Sequence, residues 1–167
     1  ADFCYDRGII VISDEIHCDM ALWGNKHVPF ATASEKAAQC SITFGAPSKT
    51  FNIAGIVSSY SIVPNPEIRK KFYSWLAANE LNEAPMFSPI ATIAAFEQGE
   101  QWRKAMLAYV EDNIRYVEDY CREHLPMIMP LRPEASFLVW LDCRKLGLNH
   151  DQLLDLFVNK ARLALND

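Results

Sequence analysis

Basic residues are scarce in this sequence, and no basic surface can be predicted from it. The 167 residues include 16 lysines and arginines against 21 aspartates and glutamates, which gives a formal net charge of -5 at pH 7. Proteins that bind nucleic acids need a basic face that neutralises phosphates. The nearest candidate is the short run Arg69-Lys70-Lys71, which is more simply explained as the solvated side of a helix. We therefore predict no nucleic-acid partner.

Paired-cysteine motifs and long apolar runs are also absent. The cysteines are odd in number and widely spaced, and no two of them form a CxxC motif: Cys4, Cys18, Cys40, Cys121 and Cys143. Neither a zinc site nor a dithiol redox motif is therefore indicated, and we expect reduced thiols in a cytoplasmic protein. The longest apolar run, residues 8–12, is too short to cross a bilayer, and no basic-then-apolar leader is visible. We expect no membrane partner.

Apolar residues make up 50% of the sequence, which is enough for a buried core, and their pattern is that of an α/β protein. Residues 8–13 are almost wholly apolar and β-branched. A strand without polar alternation is typical of a parallel sheet covered by helices on both faces. Further strands are predicted near residues 40–44 and 57–63. We therefore expect a mostly parallel sheet covered by helices.

Three helices and then a change of pattern follow these strands. Asn65-Pro66 can open the first helix, and Ser88-Pro89 can open the second. The third is long, from about residue 100 to residue 123, with apolar residues at three- and four-residue steps that we expect to lie in the core. After Pro126 we predict two short strands and a helix that starts at Asn149.

This change of pattern predicts three parts of the chain. Residues 1–99 are expected to be the later part of a large α/β domain, and residues 100–125 a long connecting helix. Residues 126–167 are expected to be the start of a smaller α+β lobe.

An acidic residue stands at the end of the first predicted strand, within residues 13–17. The carboxyl ends of parallel strands are where α/β sheets place ligand-binding groups. Asp14 is costly to bury without a partner, so it should face a cation or a hydrogen-bond donor. From its position alone, a helix cap or a buried ion pair is the simpler explanation for Asp14.

A lysine follows the next predicted strand. Lys49, in residues 46–52, lies where partial burial can lower the pKa of an amine and make it a nucleophile. An ordinary surface lysine is the simpler explanation for Lys49 considered alone. Together, Asp14 and Lys49 form the carboxylate and amine pair that pyridoxal 5'-phosphate requires.

The residues around these two positions resemble the fold-type I pyridoxal-phosphate enzymes of the class I/II aminotransferase superfamily. Residues 11–17 read VISDEIH and residues 46–55 read APSKTFNIAG. More narrowly, they are similar to the MalY/PatB-type cystathionine β-lyase branch. The likeness continues through residues 19–30 and 136–142 and covers essentially the whole chain.

The resemblance implies roles for four residues. Lys49 would bind the cofactor covalently and then move the Cα proton of the substrate. Asp14 would pair with the pyridine nitrogen of the cofactor. His17 stands where many aminotransferases carry a tyrosine that contacts the phenolic oxygen, and Ser48 would contact the phosphate. Without the motif, a structural histidine is the simpler explanation for His17.

The sequence also departs from the family pattern. Many aminotransferases carry a phosphate-binding arginine eight residues after the lysine, where this sequence has Val57. The family's phosphate loop, its ring-stacking aromatic residue and its carboxylate-binding arginine cannot be placed in this sequence. We therefore expect a central fragment of a larger enzyme that is inactive as an isolated piece. Trp23, His27 and Phe30 can be interpreted either as the mouth of the site or as loop packing.

The resemblance implies a carbon–sulfur β-lyase that acts on a small amino-acid substrate, cystathionine or another cysteine S-conjugate, as a homodimer when intact. Two alternatives remain open from the sequence. An aminotransferase shares the chemistry as far as removal of the Cα proton. A non-catalytic module for interaction or regulation would carry out no such chemistry.

Overall fold

The first two strands form the parallel pair that the sequence predicts. In the computed structural model, which describes residues 1–166, β1 (Val11–Asp14) lies beside β2 (Ser41–Gly45). Their register runs from Val11 opposite Ser41 to Asp14 opposite Phe44. A short helix, α1 (Asp2–Tyr5), precedes β1, and α2 (Glu35–Gln39) leads into β2. Because the strands are parallel, both end at the same edge of the sheet.

The third strand differs from the expectation of a parallel arrangement. β3 (Tyr60–Ile62) pairs antiparallel with β2, so the strand order is β1-β2-β3. The connection between them contains only α3 (Pro47–Thr50) and a 3-10 turn (Ala54–Ile56). A parallel neighbour usually needs a longer crossover helix that carries the chain back across the sheet.

The prediction that the first strand is buried on both faces is wrong. Val11 and Ser13 are half-buried, whereas Ile12 is 66% exposed. β2 has the continuous burial expected of a central strand. The physical reason is that side chains project alternately from the two faces of a sheet, and within residues 1–166 the face that bears Ile12 and Asp14 is left uncovered.

The helix predicted to open at Asn65 begins as expected, whereas the one predicted to open at Ser88 does not. Asn65 caps α4 (Pro66–Ala78), and its side-chain oxygen accepts hydrogen bonds from the next two free backbone amides. Ser88, however, is the first residue of α5 (Ser88–Gln98) and not its cap. Its buried hydroxyl donates instead to the carbonyl of Ile56, 2.5 Å away. Gly99 is the C-cap residue of α5.

The long helix α6 (Glu100–His124) follows directly. Ile114 and Cys121 on its predicted apolar face are buried, whereas Trp102 is 46% exposed. The chain divides into two compact units, and α6 contributes to both. Unit one comprises residues 1–111 and 134–137, and unit two comprises residues 112–133 and 138–167.

Unit two contains a small antiparallel pair, β4 (Met129–Leu131) and β5 (Trp140–Asp142). α7 (His150–Leu154) starts at Asn149 as predicted, and Asn149 and Gln152 form a capping box there. This helix continues into a π-helical segment (Asp155–Lys160). Among residues 1–166, no helix combines the length and the apolar character needed to span a bilayer.

Candidate active site

Asp14 is the last residue of β1 and is exposed. Its Oδ1 atom accepts a hydrogen bond from the backbone amide of Ile16, 3.2 Å away, which stabilises the turn that follows the strand. The simple alternative of a buried ion pair is therefore wrong. The carboxylate lies at the edge of the sheet with access to a ligand.

Ser48 and Lys49 lie in α3, which begins two residues after β2 ends. Pro47 fits the first turn of this helix because its missing N–H would have no partner there. Lys49 is exposed, and within the described part of the chain its amine forms no hydrogen bond or ion pair. Thr50, next to it, is fully buried, and its hydroxyl oxygen has no hydrogen-bond partner in residues 1–166.

The sheet therefore brings the two motifs to neighbouring positions. Asp14 stands opposite Phe44 in the parallel register, and α3 begins three residues after Phe44. Between Asp14 and Lys49 themselves, residues 1–166 contain no direct ion pair. The arrangement leaves an exposed carboxylate at the end of one strand and an exposed amine shortly after the end of its neighbour.

His17 caps the 3-10 turn Cys18–Met20 and is held by a distant part of the chain. Its Nδ1 atom lies 3.1 Å from the hydroxyl oxygen of Ser136, which is 119 residues away in sequence. The ring of Phe137 packs against the imidazole with 5.7 Å between the ring centroids. No local sequence signal predicts this contact.

Glu15 is a buried carboxylate that the sequence analysis did not single out. Its oxygens accept hydrogen bonds from the hydroxyl of Ser13 (2.9 Å), the ring Nε2 of His27 (2.8 Å) and the backbone amide of Phe30 (2.9 Å). Burial raises the pKa of the Glu15 carboxyl, but the hydrogen bonds from His27, Phe30 and Ser13 outweigh burial and hold this pKa below its usual value. His27 and Phe30 thus anchor the loop after β1, which supports the interpretation as loop packing.

A cavity of about 690 Å³ lies in unit one, beside this anchor. Glu15, Thr43 and Arg103 are among its lining residues, but none of the four predicted site residues lines it. Cys18 also lines it, and burial together with the nearby Asp19 raises the pKa of its thiol to about 11. The thiol is therefore protonated at neutral pH and is a poor nucleophile.

Known proteins match nearly the whole of this chain. The model of the family described as aminotransferase class I and II matches residues 1–164. Cystathionine beta-lyase PatB of Bacillus subtilis (strain 168) is 38% identical over 164 residues, which cover 98% of this chain and 42% of that protein. Protein MalY of Escherichia coli (strain K12) is 32% identical over 167 residues, which cover 99% of this chain and 42% of that protein.

A solved structure shows the same backbone arrangement. The crystal structure of cystalysin from Treponema denticola, which contains a pyridoxal 5'-phosphate cofactor, matches with a TM-score of 0.93 and 30% identity. The match covers 99% of this chain and 42% of that chain. This sequence therefore spans about two fifths of the length of the proteins that it resembles.

Proposed function

The chain belongs to the class I and II aminotransferase family, and on that premise we propose that it is part of a pyridoxal-phosphate-dependent carbon–sulfur β-lyase. The substrate would be cystathionine or another cysteine S-conjugate. The observation that carries the proposal is the position of Lys49, an exposed amine without an ion-pair partner in residues 1–166, beside the strand end that bears Asp14.

The residues present fit pyridoxal phosphate. The aldehyde of this cofactor needs a primary amine that is free to react, and Lys49 meets that requirement. A ring nitrogen that must stay protonated needs a carboxylate, which Asp14 supplies. Phosphate oxygens need donors, and the hydroxyl of Ser48 lies one residue from the lysine. The carboxylate belongs to the last residue of β1, and the amine and hydroxyl belong to the helix that follows β2.

Each of these residues would then have a defined task. When bound, pyridoxal phosphate supplies an electron-withdrawing ring that stabilises negative charge at the substrate Cα. Lys49 would hold the cofactor and then move the Cα proton through its Nζ atom. Asp14 would hold the proton on the ring nitrogen. His17 would contact the phenolic oxygen of the cofactor, and Ser48 would bind its phosphate.

The name of a relative supports elimination over amino-group transfer. PatB, the relative at 38% identity, is named a cystathionine beta-lyase. In such a reaction the Cα–H bond breaks at Lys49, the Cβ–S bond breaks next, and thiolate leaves. Hydrolysis of the remaining unsaturated amine yields pyruvate and ammonia.

We further propose that the intact protein is a cytoplasmic homodimer in which residues 1–99 belong to the larger domain. Residues 100–125 would connect it to a smaller domain that begins at residue 126. The unpaired state of all five cysteines supports a reducing compartment. Exposed apolar side chains, including Ile12 and Trp75, support contacts with further protein surface.

The reaction type is tested with the intact enzyme and cystathionine in the absence of any keto acid. We expect pyruvate, ammonia and thiol in equal amounts. Product that forms only when a keto-acid acceptor is added, with an equal amount of new amino acid, would instead establish a transaminase. Lys49→Ala is the inactive control, and Lys70→Ala, on the exposed side of α4, is the matched control that should retain turnover.

A further inference from the structure

Ser136 contacts the candidate active site although it lies 119 residues after His17 in sequence. Residues 134–137 belong to unit one, although the residues on both sides of them belong to unit two. The backbone amide of Ser136 donates to the carbonyl of Met20, and the amide of Leu22 donates to the carbonyl of Glu134, each at 2.9 Å. The segment is thus fixed to the turn that follows β1.

The backbone of Ser136 is unfavourable for a residue with a side chain. Its φ angle is 73°, in the left-handed region that glycine adopts without penalty. Any other L-residue there costs roughly 1–2 kcal/mol. Serine at this position therefore needs a compensating interaction, and the contact between its hydroxyl and Nδ1 of His17 is the one that its side chain forms in residues 1–166.

The same contact determines what the His17 ring can offer. Nδ1 is occupied by the serine hydroxyl, and Phe137 packs against the ring plane at an angle of 59°. Nε2 has no hydrogen-bond partner within residues 1–166. A ring whose one nitrogen is bound by a protein group presents the other nitrogen in a fixed direction, and the tautomer follows from which partner donates in that bond.

We propose that Ser136 is a positioning residue of the cofactor site: its hydroxyl holds the His17 imidazole through Nδ1 and leaves Nε2 for pyridoxal phosphate. The inference rests on the proposed function, because it requires that His17 contact the cofactor. It adds a role for the segment after α6, which would orient a group at the end of β1.

The test compares Ser136→Ala, Ser136→Gly and Ser136→Thr in the intact protein. The ¹⁵N chemical shifts of His17 in the cofactor-free protein, assigned with His17→Gln, report the tautomer. Equilibrium dialysis gives the Kd for pyridoxal phosphate. We expect alanine and glycine to mix the two tautomers of His17 and to raise the Kd about fivefold, as the loss of one hydrogen bond does. Threonine retains the hydroxyl and should restore both values.

The glycine variant separates positioning from a structural role. Glycine relieves the left-handed backbone, so Ser136→Gly should be at least as stable as the parent in urea, yet bind the cofactor less tightly. The matched control is Glu80→Gly, which removes a left-handed residue (φ 55°) at the end of α4 and should leave the Kd unchanged.

Two results would overturn the inference. Unchanged His17 shifts in the alanine and glycine variants would mean that Ser136 does not hold the ring. Changed shifts with an unchanged Kd would mean that the orientation of His17 does not matter to the cofactor. A parent protein that binds no pyridoxal phosphate would contradict the proposed function instead, and the His17 shifts would still show whether Ser136 holds the ring.

Discussion

At the scale of single residues, Glu15 near the candidate site has a side chain that accepts three hydrogen bonds. Three donors converge on its buried carboxylate, and its backbone amide donates to the carbonyl of Phe44, 2.8 Å away. Because Glu15 follows Asp14 directly, its side chain links the loop that contains His27 and Phe30 to the end of β1. The backbone bond extends the pairing of β1 with β2 by one residue.

Glu15 should contribute stability that depends on pH. Its pKa in the folded protein lies below the ordinary 4.5, so its contribution is complete above about pH 4.5 and is lost as the pH falls toward the folded-state pKa. Glu15→Gln leaves too few acceptors for three donors and should cost about 1–3 kcal/mol at pH 7. Urea unfolding from pH 7 to pH 3 should show the parent and Glu15→Gln converging at the acidic end. An equal difference at every pH would contradict this, and Glu97→Gln, an exposed change in α5, is the control.

Asp14 should matter to turnover and not to folding. Asp14→Asn keeps the volume of an exposed side chain, so the free energy of unfolding should change by less than about 0.5 kcal/mol. The amide cannot hold a proton on the cofactor's ring nitrogen, so we expect turnover of the intact enzyme to fall roughly 100-fold or more. Steady-state rates at full cofactor loading measure the effect. Turnover within a few-fold of the parent would remove Asp14 from the site.

Residues of the candidate site were predictable where the signal is local and not where it depends on distant contacts. Asp14 ends one apolar strand and Lys49 closely follows another, so a local pattern indicates both positions. Glu15 was missed because its buried state depends on a loop 12 to 15 residues away. The role of Ser136 depends on a partner 119 residues away, and nothing near Ser136 in sequence indicates it.

At the scale of elements, two Asn caps and the parallel pair of β1 and β2 were predictable from the sequence, whereas the direction of β3 was not. Asn65 and Asn149 cap helices through bonds to amides two or three residues on, so each cap is encoded within one turn. The antiparallel direction of β3 depends instead on how the chain returns from α3, which no local pattern specifies. Ser88 is an exception to local capping. Its hydroxyl donates a hydrogen bond to the distant carbonyl of Ile56 and therefore does not cap α5.

The end of α4 offers a stability test at this scale. Glu80 adopts a left-handed conformation directly after the C-cap residue Asn79, and the amide of Leu81 closes the turn by donating to the carbonyl of Leu76. Glycine suits this position, because a Cβ atom is strained there. We expect Glu80→Gly to raise the free energy of unfolding by about 0.5–1 kcal/mol in urea titrations. Glu80→Ala keeps the strain and should not; an equal gain from alanine would contradict the explanation.

At the scale of the whole molecule, the proposed function rests on one end of the sheet. Two parallel strands of different sequence end side by side, one with an acidic residue and one followed by a lysine-bearing helix. The chain spans about two fifths of the relatives' length, and many large apolar side chains, such as Ile12 and Ile90, are exposed in it. The apolar pattern predicted these strands, but their burial depends on neighbours that the pattern alone does not specify.

The central claim is that pyridoxal phosphate is bound covalently through Lys49. Borohydride reduction of the intact protein, followed by protease digestion and mass spectrometry, fixes the pyridoxyl group to the lysine that held it. We predict that the added mass maps to the peptide containing Lys49 and disappears in Lys49→Ala. A label on Lys36 or Lys70, or no label on any lysine of this chain, would contradict the account.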